Sequence, residues 1–248
     1  MKYEISGTVM QTVEIDLAPG DTMYSQTAAM CWMSDGVVMA TNTGGGFFAG
    51  LKRSLTGGSF FITDFTAQQG GRVAFAPRFP GTILPRQLRA GESLICRKET
   101  FLCAEKSVTF EIAWQQKIGA GFILQRVSGP GTVFLDLSGE VVTKRLGPGE
   151  RLFVHAGHVG VHEPTVSFDI QMVPGFGNIL FGGEGLFLAT LTGPGEVHLQ
   201  SMPIMNLAEE IARYLPGNDQ RNAGSALGGM AAGGAMGGIL GGLFGDNN

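Results

Sequence analysis

Apolar and polar residues alternate over short stretches along much of this 248-residue chain. Clear cases are residues 108–114, 133–137, 152–154 and 166–172, in which apolar side chains occupy every second position. Such alternation is typical of β-strands that bury one face. Glycine and proline interrupt the stretches at short intervals with no helical period between them, so the pattern predicts an all-β protein.

A turn sequence of one form occurs three times: Leu-Ala-Pro-Gly-Asp at 17–21, Leu-Arg-Ala-Gly-Glu at 88–92, and Leu-Gly-Pro-Gly-Glu at 146–150. A glycine-rich bend and a second turn follow each copy in the same order. The bends lie at 44–48, 119–123 and 182–187, and the second turns at 56–61, 128–133 and 192–197. This recurrence predicts three diverged copies of one β unit.

The predicted copies span about 1–70, 71–140 and 141–205. One copy alone would leave an apolar sheet face exposed to water, so the three are expected to pack around a shared core. The sequence therefore predicts a single domain over residues 1–205, a compact β prism or sandwich of three related antiparallel sheet units.

One short helix is predicted after the β domain, over residues 206–216. Asn206 is a candidate N-cap, and Glu209 three residues later completes a capping box. The apolar stripe consists of Leu207, Ile211, Tyr214 and Leu215. Pro216-Gly217 predicts the end of the helix.

Residues 217–248 form a glycine-rich tail, and residues 223–244 carry no charge. Small residues four apart suit self-association or peripheral contact with a membrane. Glycine contributes little transfer energy, however, and large apolar residues are too sparse to favour a true membrane anchor. The main prediction for this segment is a flexible tail.

The formal net charge of −4 argues against a broad nucleic-acid surface. The basic residues Arg72, Arg78, Arg86, Arg89, Arg97 and Lys98 are interpreted as solvated strand and loop positions. Three cysteines without a paired motif, and an N-terminus without an apolar leader, predict a protein of the reducing cytoplasm.

Three of the four histidines, His155, His158 and His162, lie within eight positions and are the candidate metal ligands. In a helix, His158 and His162 would share one face. The glycines and β-branched residues around them favour a strand–turn–strand segment, in which the histidines are turn or surface residues. No other cofactor is predicted.

No catalytic constellation is recognisable, so the chain is not predicted to be an enzyme. Cys96 and Cys103 flank a short segment and could face each other across a hairpin, although buried, inert thiols are the more common arrangement. The carboxylates Glu150, Glu163, Glu184 and Glu196 adjoin turns or loops, where acidic side chains are normally solvated.

Several stretches resemble the altered-inheritance-of-mitochondria-24 family over roughly residues 1–205. They are Gly182–Phe187, Leu191–Gly195, Leu199–Ser201, Gly50–Arg53, Leu55–Gly57, Ala74–Pro77 and Pro80-Gly81. The resemblance implies a bacterial member with a fold similar to the tryptophan RNA-binding attenuation protein. It implies no catalytic residues, and a fungal relative is associated with organisation of the mitochondrial inner membrane.

The function predicted from these observations is a non-catalytic binding or scaffolding protein that acts through its surface. A protein partner or self-association into a homo-oligomer is expected. One alternative is a small-ligand or metal-binding module that uses the histidine segment 155–163. RNA binding is the other alternative, and it rests on fold analogy alone.

Overall fold

The computed structural model describes residues 1–26, 28–42, 62–116, 122–172 and 187–214. In these ranges the chain is almost entirely antiparallel β-sheet, which confirms the predicted fold class. The chain divides into two units, Met1–Glu209 and Glu210–Asn248, and the described strands all belong to the first. Residues 44–48, 119–121 and 182–186 of the predicted bends, the turn at 56–61 and the tail lie outside the described residues.

The strand β1 (Lys2–Ser6) is followed by three sets of six strands. The first set contains β2 (Thr12–Leu17), β3 (Thr22–Gln26), β4 (Met30–Met33), β5 (Val37–Asn42), β6 (Ile62–Ala67) and β7 (Gly71–Phe75). The second contains β8 (Gly81–Leu88), β9 (Ser93–Arg97), β10 (Phe101–Glu105), β11 (Thr109–Gln116), β12 (Phe122–Ser128) and β13 (Gly131–Ser138). The third contains β14 (Val141–Leu146), β15 (Arg151–His155), β16 (Val159–His162), β17 (Ser167–Met172), β18 (Phe187–Thr192) and β19 (Gly195–Gln200).

Neighbouring sets share their sheets. Sheet 1 has the order β1-β2-β7-β4, and sheet 4 has the order β15-β18-β17. The two six-stranded sheets between them have the orders β5-β6-β3-β10-β13-β8 (sheet 2) and β11-β12-β9-β16-β19-β14 (sheet 3). Sheet 2 therefore joins half of the first set to half of the second, and sheet 3 joins the second set to the third in the same way.

The same turn connects the first two strands of every set. Gly20, Gly91 and Gly149 all have a positive φ, of 90°, 85° and 74° respectively, a conformation that glycine adopts without a steric penalty. The acidic residue that follows accepts a hydrogen bond from the backbone N–H three residues earlier; for Glu150 the donor is Gly147, at 2.7 Å. Glu150 therefore closes a turn, which accounts for one of the candidate carboxylates.

The core consists of three hydrophobic clusters, and a shared sheet contributes to the clusters on both of its sides. In β13, Val133 and Leu135 pack into one cluster while Phe134, between them, packs into another. The alternation in this strand predicted one buried face, but both faces are buried because sheet 2 lies between two layers of apolar side chains. The prediction of one buried face holds for β17, where Phe168 is half-buried and Ile170 is buried, while Ser167, Asp169 and Gln171 are exposed.

The helix α1 spans Ile204–Tyr214, so it begins two residues earlier than predicted. The Leu207 N–H donates to the Pro203 carbonyl, which places the N-cap at Pro203 and Asn206 inside the first turn. Proline is well tolerated at a helix start because it lacks only an N–H that would have no intrahelical partner there.

Candidate interaction surface

Two strands end their sheets although their counterparts in the other sets lie inside a sheet. β10 pairs with β3 of the preceding set, and β16 pairs with β9 of the preceding set. β4, the strand of the first set that corresponds to β10 and β16, is the last strand of sheet 1. β15, the strand of the third set that corresponds to β3 and β9, is the first strand of sheet 4. In the described part of the chain these two strands, called here the open edges, lack a second neighbour.

A β-bulge fixes which residues of β4, β10 and β16 correspond to each other. The pairing register shifts between Met30 and Trp32 in β4, between Phe101 and Cys103 in β10, and between Val159 and Val161 in β16. Trp32 is therefore the counterpart of Cys103 and Val161. By the same alignment, Met33 corresponds to Ala104 and His162.

The open edge of β4 exposes apolar side chains at positions that are buried in the other two sets. Trp32 is 49% exposed, whereas its counterparts Cys103 and Val161 are both 0% exposed. Met33 is exposed too, and so is the free thiol of Cys31. Exposed large apolar residues clustered along one strand are typical of a binding surface.

The open edge of β15 shows the same contrast. Phe153 is 56% exposed, while its counterparts Tyr24 in β3 and Ile95 in β9 are 0% and 5% exposed. The guanidinium carbon of Arg151 lies 5.3 Å from the centroid of the Phe153 ring. Each open edge thus combines backbone groups that face no strand of the described ranges with an exposed aromatic side chain, an arrangement suited to strand addition.

The three predicted metal ligands lie in a strand–turn–strand segment, as expected. His155 ends β15, His158 lies in a short 3-10 turn at Ala156–His158, and His162 ends β16. The ring centroids of His155 and His158 are 5.7 Å apart. The ring of His162 stacks instead on Phe168, with Nδ1 2.8 Å from the carbonyl oxygen of Glu163.

The structure therefore brings together two of the three histidines. Among the described residues, no group of three or more His, Cys, Asp and Glu side chains is placed to hold a metal ion. Burial lowers the pKa values of His155 and His162, which keeps both rings neutral near pH 7.

A polar cluster that the sequence analysis did not anticipate surrounds the fourth histidine, His198. Nε2 of His198 lies 2.8 Å from Nη2 of Arg86 and 3.0 Å from Oε1 of Glu196, and Nδ1 lies 2.9 Å from Oγ1 of Thr143. Burial and the charge of Arg86 lower the pKa of His198, so the ring is neutral and accepts from Arg86. Both ring nitrogens are occupied within the chain, and the cluster joins β8, β14 and β19.

Of the basic residues interpreted as solvated, Arg72, Arg78 and Arg89 are exposed, whereas Arg86, Arg97 and Lys98 are half-buried. Arg86 belongs to the His198 cluster, and Arg72 lies 3.5 Å from Glu14. Arg97 lies 3.2 Å from Glu99, and its guanidinium carbon is 4.8 Å from the Phe122 ring centroid. These neighbours make Arg86 and Arg97 structural contacts, while the side chain of Arg72 is 61% exposed and remains a solvated position.

The buried cysteines do not face each other across a hairpin. Cys96 lies in β9 of sheet 3 and Cys103 in β10 of sheet 2, and they pack into different hydrophobic clusters. The hairpin interpretation was wrong because the chain crosses from one sheet to the next between them. Burial raises the pKa values of both thiols, that of Cys96 to about 11, as expected for inert thiols.

The carboxyl group of Asp136 is mostly buried. Oδ1 of Asp136 in β13 is buried, and no described residue offers it a hydrogen bond. Burial raises the pKa of Asp136 to about 7. The group is therefore largely protonated in mildly acidic solution, where an ordinary aspartate is charged.

Comparison with known proteins places the chain in a family. The model of the Mitochondrial biogenesis AIM24 family matches residues 3–202. The chain belongs to this family. The match covers the region in which the sequence motifs resembled it.

Two relatives come from Streptococcus pyogenes. The chain is similar to an uncharacterised protein of serotype M6, at 30% identity over 219 residues that cover 82% of this chain and 86% of the relative. It is also similar to a protein of this species whose crystal structure is known, with a TM-score of 0.72 and 28% identity. That match covers 86% of this chain and 99% of the other, so the family and its fold are shared over nearly the whole β domain.

Within the described residues, no helix has the length and apolar character needed to cross a membrane.

Proposed function

We propose that this family member is a non-catalytic binding or scaffolding protein, and that the open edges of β4 and β15 are its binding surface. The observation that carries the proposal is the contrast between equivalent strands. β10 and β16 are paired on both sides, while β4 ends its sheet with Trp32 exposed. An exposed strand edge that carries large apolar side chains gains hydrogen bonds and apolar burial when another strand adds to it.

The titratable groups support a structural rather than a catalytic role. Glu150 closes a turn, and Oε2 of Glu163 accepts from the Glu196 N–H at 2.9 Å. The ring nitrogens of His198 are both occupied by neighbouring side chains. The free thiols of the three cysteines support a location in a reducing compartment, the cytoplasm.

Native mass spectrometry of the purified full-length chain tests the proposal. We expect an assembly of more than one copy, or a copy bound to another protein, without an added small-molecule mass. A Trp32→Lys/Phe153→Lys variant is expected to lose the assembly, because a charge on each open edge opposes the addition of a strand.

The matched control is Met39→Lys. Met39 is similarly exposed, but it lies on β5, and the strands β5, β11 and β17 are outermost in all three sets. This variant is expected to assemble as the unaltered chain does. A monomer that carries a stoichiometric metal or small molecule would contradict the proposal and favour a ligand-binding module.

A further inference from the structure

We infer that the partner of these edges is a second copy of this chain: β15 of one copy pairs antiparallel with β4 of the next, with Met33 opposite Phe153 and Trp32 opposite Val154. The inference rests on the proposed function, because it concerns the same open edges. It adds the identity of the partner and the register of pairing.

The register follows from the two junctions that the chain forms within itself. In the first junction, Cys103 lies opposite Ser25 and Ala104 opposite Tyr24. In the second, Val161 lies opposite Cys96 and His162 opposite Ile95. The two junctions have the same register once equivalent residues are aligned.

The same alignment applied to β4 and β15 gives the third junction. Trp32 takes the place of Cys103 and Val161, and Val154 that of Ser25 and Cys96. Met33 then lies opposite Phe153, so the exposed apolar side chains of the two edges meet. The geometry used twice within one chain is therefore available between the third set of one copy and the first set of another.

Charge complementarity supports this register. In the first junction, the Lys106 N–H donates to the Thr22 carbonyl, 3.1 Å away. The counterpart of Thr22 is Arg151, and the counterpart of Lys106 is Asp35. Both are exposed, and opposite charges that face each other across neighbouring strands favour pairing.

Each copy carries one edge of each kind, so the contact is head-to-tail. Such a contact generates a closed ring if the rotation between copies closes, and an open chain otherwise. A pairing of β4 with β15 of the same chain would use both edges at once and leave a monomer. The test must therefore distinguish pairing between copies from pairing within one copy.

Directed cross-linking provides that test. Two full-length variants are prepared in a Cys31→Ser background, Met33→Cys with a small tag and Phe153→Cys with a large tag. After mixing and mild oxidation, we expect a disulfide-linked product that contains one of each, in several-fold excess over the products linking identical copies. The matched control mixes Trp32→Cys with Phe153→Cys, because adjacent residues point to opposite faces of a strand and this pair should cross-link poorly.

Charge reversal gives a second, independent measurement. Arg151→Glu is expected to raise the dissociation constant of the assembly several-fold, as measured by sedimentation. Asp35→Arg in the same chain is expected to restore the original value. Equal cross-linking of the Met33 and Trp32 variants, or no rescue, would overturn the register. If native mass spectrometry shows copies bound to each other while these tests fail, the scaffolding function is supported and the proposed register is wrong. If a disulfide forms only within one chain of the double variant Met33→Cys/Phe153→Cys, the partner is not a second copy.

Discussion

Nη2 of Arg86 lies 2.8 Å from Nε2 of His198, and this contact links β8 of the second set of strands to β19 of the third. Arg86 is only partly exposed and also lies 3.6 Å from Glu196. Arg86→Ala removes a charge-assisted hydrogen bond and should lower the free energy of unfolding by about 1–2 kcal/mol, measured by urea denaturation. Arg89→Ala, in the exposed turn beyond β8, is the control and should change it by less than about 0.5 kcal/mol.

A second prediction concerns the pH dependence of stability that follows from the lowered pKa of His198. Because burial and Arg86 hold this pKa below the ordinary value of 6.5, the folded state binds the proton more weakly than the unfolded state. The contribution to stability is complete above the unfolded pKa and is lost as the pH falls below it. His198→Asn should therefore flatten the fall in melting temperature on acidification from neutral pH, and parallel curves for variant and unaltered chain would refute the assignment.

Asp136 should have the opposite pH dependence. Burial raises its pKa from 3.8 to about 7, so the folded state holds the proton more tightly, and stability is lost as the pH rises from 3.8 towards 7. As the pH rises between those limits, the free energy of unfolding of Asp136→Asn should increase by roughly 1–2 kcal/mol relative to that of the unaltered chain, allowing for partial exposure of the group. Chemical denaturation at several pH values checks this, and a difference that does not change with pH would show that Asp136 is ionised throughout.

Counterpart aromatic residues should differ sharply in their contribution to stability. Tyr24 is fully buried, and its hydroxyl donates to the Val108 carbonyl at 2.8 Å, so Tyr24→Ala should cost about 3–5 kcal/mol. Phe153 occupies the equivalent position in the third set but is mostly exposed, so Phe153→Ala in dilute monomer should cost less than about 1 kcal/mol. A large cost for Phe153→Ala under those conditions would mean that the edge of β15 is already covered within one chain.

The three thiols should differ in reactivity. Burial raises the pKa values of all three thiols, but Cys31 is exposed beside Trp32, whereas Cys96 and Cys103 are buried. A maleimide is therefore expected to label one thiol in the native protein and all three in denaturant, as counted by mass spectrometry. Labelling of Cys31 should slow when the chain assembles, and faster labelling of Cys103 than of Cys31 would contradict the described placement.

The all-β class and the repeated turn could be predicted from the sequence because both depend on local chemistry. Gly20, Gly91 and Gly149 occupy positions of positive φ, and the acidic residue after each closes the turn with a short-range hydrogen bond. The strand–turn–strand path of the histidine segment was predictable for the same reason. The predicted helix start at Asn206 was wrong, because Pro203 occupies the N-cap position instead.

The candidate binding surface could not be predicted from the strands themselves. Leu94-Ile95-Cys96 in β9 and Leu152-Phe153-Val154 in β15 are similar apolar runs, yet the first is buried throughout, whereas Phe153 in the second is exposed. The difference comes from the strand beside each one, β16 for β9 and none in the described chain for β15. The polar cluster around His198 could not be predicted either, since Arg86 and His198 are 112 positions apart and meet only in the folded chain.

The sequence by itself determined where this chain turns, which segments extend, and that one pattern occurs three times, because turn residues and alternation act over a few neighbouring positions. Only the tertiary structure decided which strands pair with each other, which sheets are buried on both faces, and that β4 and β15 end their sheets in the part of the chain that is described. Those outcomes depend on contacts between distant segments, whose hydrogen bonds and apolar burial exist only once the sheets have assembled.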